Sequence, residues 1–295
     1  MNIRFVEIGQ RLRAYRLGTG LTAEDIAQRI GISRAAVYRL EKGEIVKIQA
    51  LEALAGLLDV SLPSLLGVGV EYHTNAIAFF ERMRQLEEES QQLLGNFSPM
   101  SSLILSDDYM AHLRVMLIEA IPESRDAIKD LEFIDKVLAI LAERRATAAE
   151  RRVPVVSIVG SQDVERFLRL GLIGRFDLPE AVQAERRALA RREIEQLRDV
   201  MRRQPIGIQV GVAEGQPPTQ TFQVYERRVS PAVTLSPYRL GDQPNITSGI
   251  AIVTSAPEAV KSFEDTLTRQ WDKAFKGSDG ADMLQRILDR TVERD

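Results

Sequence analysis

The sequence predicts a multidomain chain: an all-α head of five helices over residues 1–69, a helical connector over 70–97, and an α/β domain with a mixed sheet over 98–295. Three observations carry that prediction. Before Gly69, apolar residues recur at helical spacing between Gly and Ser punctuation. From Tyr72 to Phe97 they alternate by four and three residues, and beyond Asn96 short, nearly continuous apolar runs alternate with long polar helices.

Composition bounds the rest. In 295 residues the hydrophobic share of 44% and charged share of 27% are those of an ordinary globular protein. There is no Cys, which excludes disulfides, thiolate metal sites and cysteine nucleophiles. MNIRFVEIGQRLR lacks an apolar signal core and no apolar run approaches a membrane span, so a cytoplasmic protein with no membrane partner is expected. Residues 1–67 hold 9 basic against 7 acidic side chains, and the remainder 30 against 35.

Within the head, Leu21 to Gly43 (LTAEDIAQRIGISRAAVYRLEKG) is the most informative stretch, with its motif at about 22–41. Thr22 followed by Asp25 is a capping box that starts a helix running to about Ile30. Gly31 permits a left-handed turn, and Ser33 caps a second helix. Val37 and Leu40 of that helix face Ile26, Ala27, Ile30 and Ile32. Arg34, Ala35, Tyr38 and Arg39 are left on its outer face, with Lys42 just past its end. Arginine can bond both acceptors of guanine in the major groove, and a small side chain fits against a thymine methyl. Amides at the first helix's N-terminus, including that of Thr22, can hold a backbone phosphate. Double-stranded DNA is therefore the expected partner.

Ile8 to Gly67 resembles the lambda-repressor and Cro type of helix-turn-helix, the XRE family, through IGQRLRAYR, LTAEDIAQRIGIS, VYRLEKG and LEALAGLLDVSLPSLLG. The resemblance spans five helices. It implies a buried ion pair between Arg16 and Glu41, a groove-facing segment from Ser33 to Arg39, and a transcription regulator. Ala23 stands where the family frequently has glutamine, so a usual phosphate or cap contact is missing, and the Thr22 hydroxyl is expected to compensate.

A head this mildly basic binds DNA weakly alone and gains affinity by pairing, so a homodimer is expected. The connector supplies a seam: Tyr72, Ala76, Phe79, Met83, Leu86, Ser90, Leu93 and Phe97 follow a coiled-coil spacing, although the same face can pack on the chain's own C-terminal domain.

The back domain reads as strands at 101–106, 153–159, 206–212, 221–226 and 249–254. Helices are expected from about Asp108 to Arg151, broken at Pro122, and then over 179–203, 257–276 and 280–293. Residues 214–220 read as a hairpin connection and 236–248 as an irregular loop. The Arg-rich stretches at 143–154 and 184–204 read as solvated helix faces, and Gly160 to Gln162 as a loop at a ligand edge. GIAIVTSAPEAVKSFEDTLTRQWDKAF at 249–275, together with RRVPVVSIVG followed by a helix, resembles through strand and helix order and one strand-helix-Trp pattern the phospholipase-D-like sensor fold found without catalytic residues in some regulators, including the TrmB-like group. Trp271 itself reads as a core anchor. The back domain is expected to sense a partner or a small-molecule effector of unknown identity.

An enzyme is not expected. The two histidines, His73 and His112, form no paired HxK, HExxH or triad pattern, and there is no G-x-S-x-G elbow. Neither cofactor nor metal is implied. The competing reading is a protein-interaction module, antitoxin-like or a scaffold, that uses the helix-turn-helix for docking.

Overall fold

The computed structural model describes residues 5–44, 48–97, 103–121, 126–215 and 220–292. Five helices form the head: α1 (Phe5–Thr19), α2 (Ala23–Ile30), α3 (Arg34–Glu41), α4 (Ile48–Leu57) and α5 (Leu62–Leu66). Their core gathers Ile8, Leu12, Tyr15, Ile26, Ala27, Val37, Leu40, Leu54, Leu58 and Leu65.

The body is built on one eight-stranded mixed sheet of order β1-β7-β6-β5-β2-β3-β4-β8. Its strands are β1 (Val70–His73), β2 (Ser90–Asn96), β3 (Val155–Gly160), β4 (Ile208–Ala213), β5 (Thr221–Arg227), β6 (Ala232–Ser236), β7 (Ala251–Thr254) and β8 (Phe275–Lys276). The central run β2, β3, β4 is parallel and every other pairing is antiparallel. Each parallel step is bridged by helices: α7 (Tyr109–Glu119) and α8 (Ala127–Arg151) join β2 to β3, and α9 (Ser161–Leu170) and α10 (Glu180–Arg203) join β3 to β4. Parallel strands require such crossovers.

The two faces of the sheet are covered unequally. One carries the larger core, to which α6 (Ala76–Glu89), α7, α8, α9, α10 and α12 (Gly277–Val292) all contribute. The other carries α11 (Pro257–Lys273), whose Val260 and Leu267 meet Ile158, Phe222, Val224 and Val233. Alternation along β5 follows: Phe222 and Val224 point to α11, and Tyr225 to the larger core. Trp271 lies partly buried on the α11 side, against Gly211 and beneath the Lys276 ammonium.

The segment 70–97 is not a free-standing helical connector. It is a strand, a helix and a strand, and both strands belong to the body's sheet. Of the expected dimer seam, Ala76, Phe79, Met83, Leu86 and Leu93 are buried within the chain's own core. Tyr72 is half exposed on the edge strand. The helix stops at Ser90, where the backbone turns extended and the Ser90 hydroxyl donates to the Leu86 carbonyl. The 3/4 spacing runs on past that break into β2, although strand geometry has replaced helix there.

Further back, residues 103–106 form a turn instead of the first strand of the sheet, and β2 takes that role. Residues 101–102, Pro122 and 216–219 lie outside the described residues. Ser161 and Gln162 open α9 and do not form a loop. The Arg-rich faces are only partly solvated: Arg144 is buried in a two-point pair with Glu87, at 2.6 and 2.9 Å, and Arg191 and Arg198 bond to α12. No helix among the described residues is long and apolar enough to cross a membrane.

Candidate nucleic-acid interface

Local chemistry positions the two helices of the motif. At the start of α2 the Asp25 amide donates to the Thr22 hydroxyl at 3.1 Å, and the Thr22 amide donates to the Asp25 carboxylate at 2.8 Å. Hydrogen bonding from Thr22 holds the Asp25 carboxyl below its usual range. Thr22 thus acts as a cap. Its amide and hydroxyl are both turned onto Asp25, so neither is open to a phosphate in this arrangement.

Gly31 adopts φ 72° and closes α2 through the carbonyl of Ala27, a conformation that costs a side-chain-bearing residue more. Ser33 then caps α3, accepting from the Ala36 amide at 3.1 Å. Burial of Val37 and Leu40 fixes the roll of α3, which leaves Ser33, Arg34, Ala35, Tyr38, Arg39 and Lys42 exposed together. The Arg34 guanidinium lies over the Tyr38 ring, 5.6 Å from its centroid, and donates to its hydroxyl at 3.3 Å. Arg39 faces Glu44 across 3.7 Å, both in solvent, so the pairing is weak and readily exchanged. The face displays planar donors, an aromatic edge and a small residue within two turns.

Two contacts fix α3 on α1. Arg16 makes a two-point bond to Glu41, at 2.5 and 3.1 Å, and also donates to the Leu21 carbonyl. Gly9 permits the close approach: a Cβ there would lie 2.5 Å from the Glu41 carbonyl oxygen. One pair thereby ties α1 both to the turn before α2 and to the end of α3.

A second layer was not visible in the sequence. Helix α1 packs along α6, so the head is seated on the body through a buried polar network. Glu71 on β1 accepts from Arg11 at 2.5 Å and from Arg82 at 2.9 and 3.1 Å. Burial alone would raise the Glu71 pKa, but the two guanidiniums hold it well below the ordinary carboxylate range. Arg227 on β5 reaches Glu7 of α1 at 3.5 Å and Glu89 of α6 at 3.0 Å. Tyr15 donates to the Tyr72 carbonyl and stacks on His73, with ring centroids 4.7 Å apart. His73 is fully buried, and burial pushes its pKa down. These partners are distant in sequence, and β1, α6 and β5 together bring them to α1.

Among the described residues no group of three His, Asp or Glu side chains is placed to hold a metal ion. A family model described as a helix-turn-helix domain matches residues 7–66, the span of α1 to α5. No curated protein and no solved structure matches the chain.

Proposed function

With residues 7–66 a helix-turn-helix domain, we propose that the chain is a sequence-specific DNA-binding transcription regulator of the lambda-repressor (XRE) kind. It acts as a homodimer, with the body from Val70 onward serving as its sensory or oligomerising part. The carrying observation is the outer face of α3. Arg34, Ala35, Tyr38 and Arg39 are all solvent-facing on a helix whose other face, start and end are each fixed by packing, cap and ion pair. That is the geometry of a helix that enters the major groove, with Arg34 and Arg39 as the base-reading donors. Phosphate anchoring falls to donors other than the Thr22 amide and hydroxyl.

Pairing of heads supplies what one mildly basic head lacks, since two linked sites gain avidity without new contacts. The α6 seam is spent inside the chain, so the pairing surface lies elsewhere on the body or head. Because the head is seated on the body through Glu71, Arg82 and Arg227, a shift in the body is transmitted as a shift of α1 and, through Arg16 and Glu41, of α3. An effector that prefers one head spacing changes affinity by its differential binding energy. No catalytic step enters this reading: His73 is sealed beneath Tyr15, and His112 lies on α7.

The test is a selection of genomic fragments by the purified chain, followed by binding measurements on the enriched motif with Arg34→Ala/Arg39→Ala. Each good base contact is worth about 1–3 kcal/mol, so the double variant should lose at least about thirtyfold in specific affinity at unchanged melting temperature. Unaltered specific binding would sink the assignment of α3 as the reading helix.

A further inference from the structure

A cleft in the body lies where β2 leaves α6 and α8 ends. It has a volume of about 590 Å³, within the range of small-molecule sites. Its charged lining is uneven. Four arginines, Arg151, Arg152, Arg227 and Arg228, face two carboxylates there: Glu88, which pairs with Arg84, and Glu89, which accepts from Gln10 and Arg227. Arg151 is fixed on the wall by donating to the Glu87 and Ser90 carbonyls. Arg152 and Arg228 are exposed on the cleft, and their side chains make no hydrogen bond or ion pair with the described residues.

Arg227 also lines the cleft, though its side chain is only 2% exposed. Its Nε donates to the Ser230 carbonyl and its Nη1 to Glu89 and Glu7, which leaves Nη2 with no protein partner. A buried guanidinium with a spare donor beside two free ones is a fork awaiting acceptor oxygens, and planar two-point recognition of phosphate is what arginine does best.

We propose that this cleft is a binding site for a small phosphorylated anion carrying two or more negative charges, held by Arg152, Arg227 and Arg228. The concavity favours a small molecule over duplex DNA. Arg227 gives the site a route to the head. It is the residue that bridges Glu7 of α1 to Glu89 of α6, and an anion drawing on its donors weakens its hold on Glu7. The site stands on the cleft alone and does not depend on what α3 reads.

The experiment is calorimetric titration of the full chain with inorganic pyrophosphate at constant ionic strength, repeated with Arg152→Gln/Arg228→Gln. Neither of those side chains has a protein partner to lose, so the variant should fold as the parent does. One-to-one saturable binding that weakens at least tenfold in the variant is expected. Absence of saturation up to about 5 mM pyrophosphate, a concentration that would reveal any affinity near the millimolar level, overturns the proposal. So does binding that the variant retains in full. If the variant instead loses affinity for DNA while pyrophosphate heat never saturates, the arginines are an accessory DNA contact and the proposal fails in favour of that role.

Discussion

Glu71→Gln should break the joint between head and body. The substitution keeps volume and removes one negative charge from a site where Arg11 and Arg82 are both buried and both bonded to the same carboxylate. Arg11 keeps Glu7 at 3.1 Å, whereas Arg82 keeps only the long contact to Gln85 at 3.4 Å. Removing one partner of a buried ion pair costs about 3–5 kcal/mol because the remaining charge is uncompensated. Against a total stability of about 5–15 kcal/mol this is a large fraction. For a chain of 295 residues it lowers the melting midpoint by about 5–8 °C. Thermal and urea unfolding followed by far-ultraviolet circular dichroism measure the shift and the loss. A companion, Glu71→Leu with Arg11→Met and Arg82→Met, should recover most of the loss, since well-packed apolar residues often replace a buried ion network at no cost. A loss under about 1 kcal/mol in Glu71→Gln, the scale of a surface pair, would refute the claim that this network seats the head.

Two further outcomes follow from the same joint. His73 has its pKa lowered below 6.5 by burial, so the unfolded chain takes up its proton first and stability declines as pH falls through 6.5. Glu71 acts in a separate window, stabilising above 4.5 and losing that contribution as pH falls through its much lower folded pKa. His73→Phe, which preserves the stack on Tyr15, should flatten the upper window, where the slope reaches at most about 1.4 kcal/mol per pH unit. A slope between pH 7 and 5.5 that persists in His73→Phe contradicts this. Gly9→Ala should cost about 1–3 kcal/mol by overpacking α1 against the Glu41 carbonyl and, by shifting α3, weaken DNA binding beyond what stability explains. Paired thermal melts and binding curves decide, and wild-type values in both would show that the helices do not meet there.

The head was legible because its signals are local. A capping box, a Gly at positive φ, a second cap and a 3/4 apolar rhythm lie within twenty-odd residues of one another, and the fold obeys each. The mixed sheet was also legible, from apolar runs at 153–159, 206–212, 221–226 and 249–254. What the sequence hid was the ownership of residues 70–97. The 3/4 spacing continues through Ser90, Leu93 and Phe97 even though the backbone turns extended at Ser90. Gly95 and the aromatic, β-branched run at Val70 to His73 were the available signs of strand. Helix α9 has Val164, Phe167 and Leu168 at helical spacing, but Gly160 gives its start no side-chain cap, so strand passes to helix there without a local signal. The buried joint had no sequence signature at all: Arg11, Glu71, Arg82 and Arg227 are each unremarkable alone, and their meaning arises only from β1 pairing with β7 and β5 with β2.

That pairing sets an order of events during synthesis. β1 leaves the ribosome directly after the head, yet its neighbour β7 at Ala251–Thr254 emerges about 180 residues later. At roughly 5–20 residues per second this is an interval of about 10–35 s. A head whose contacts are nearly all local can fold at once, while β1 is still an unpaired edge and Glu71 has no sheet to hold it. The nascent head therefore exists for a time without the sheet that later holds Glu71, before the body closes on it.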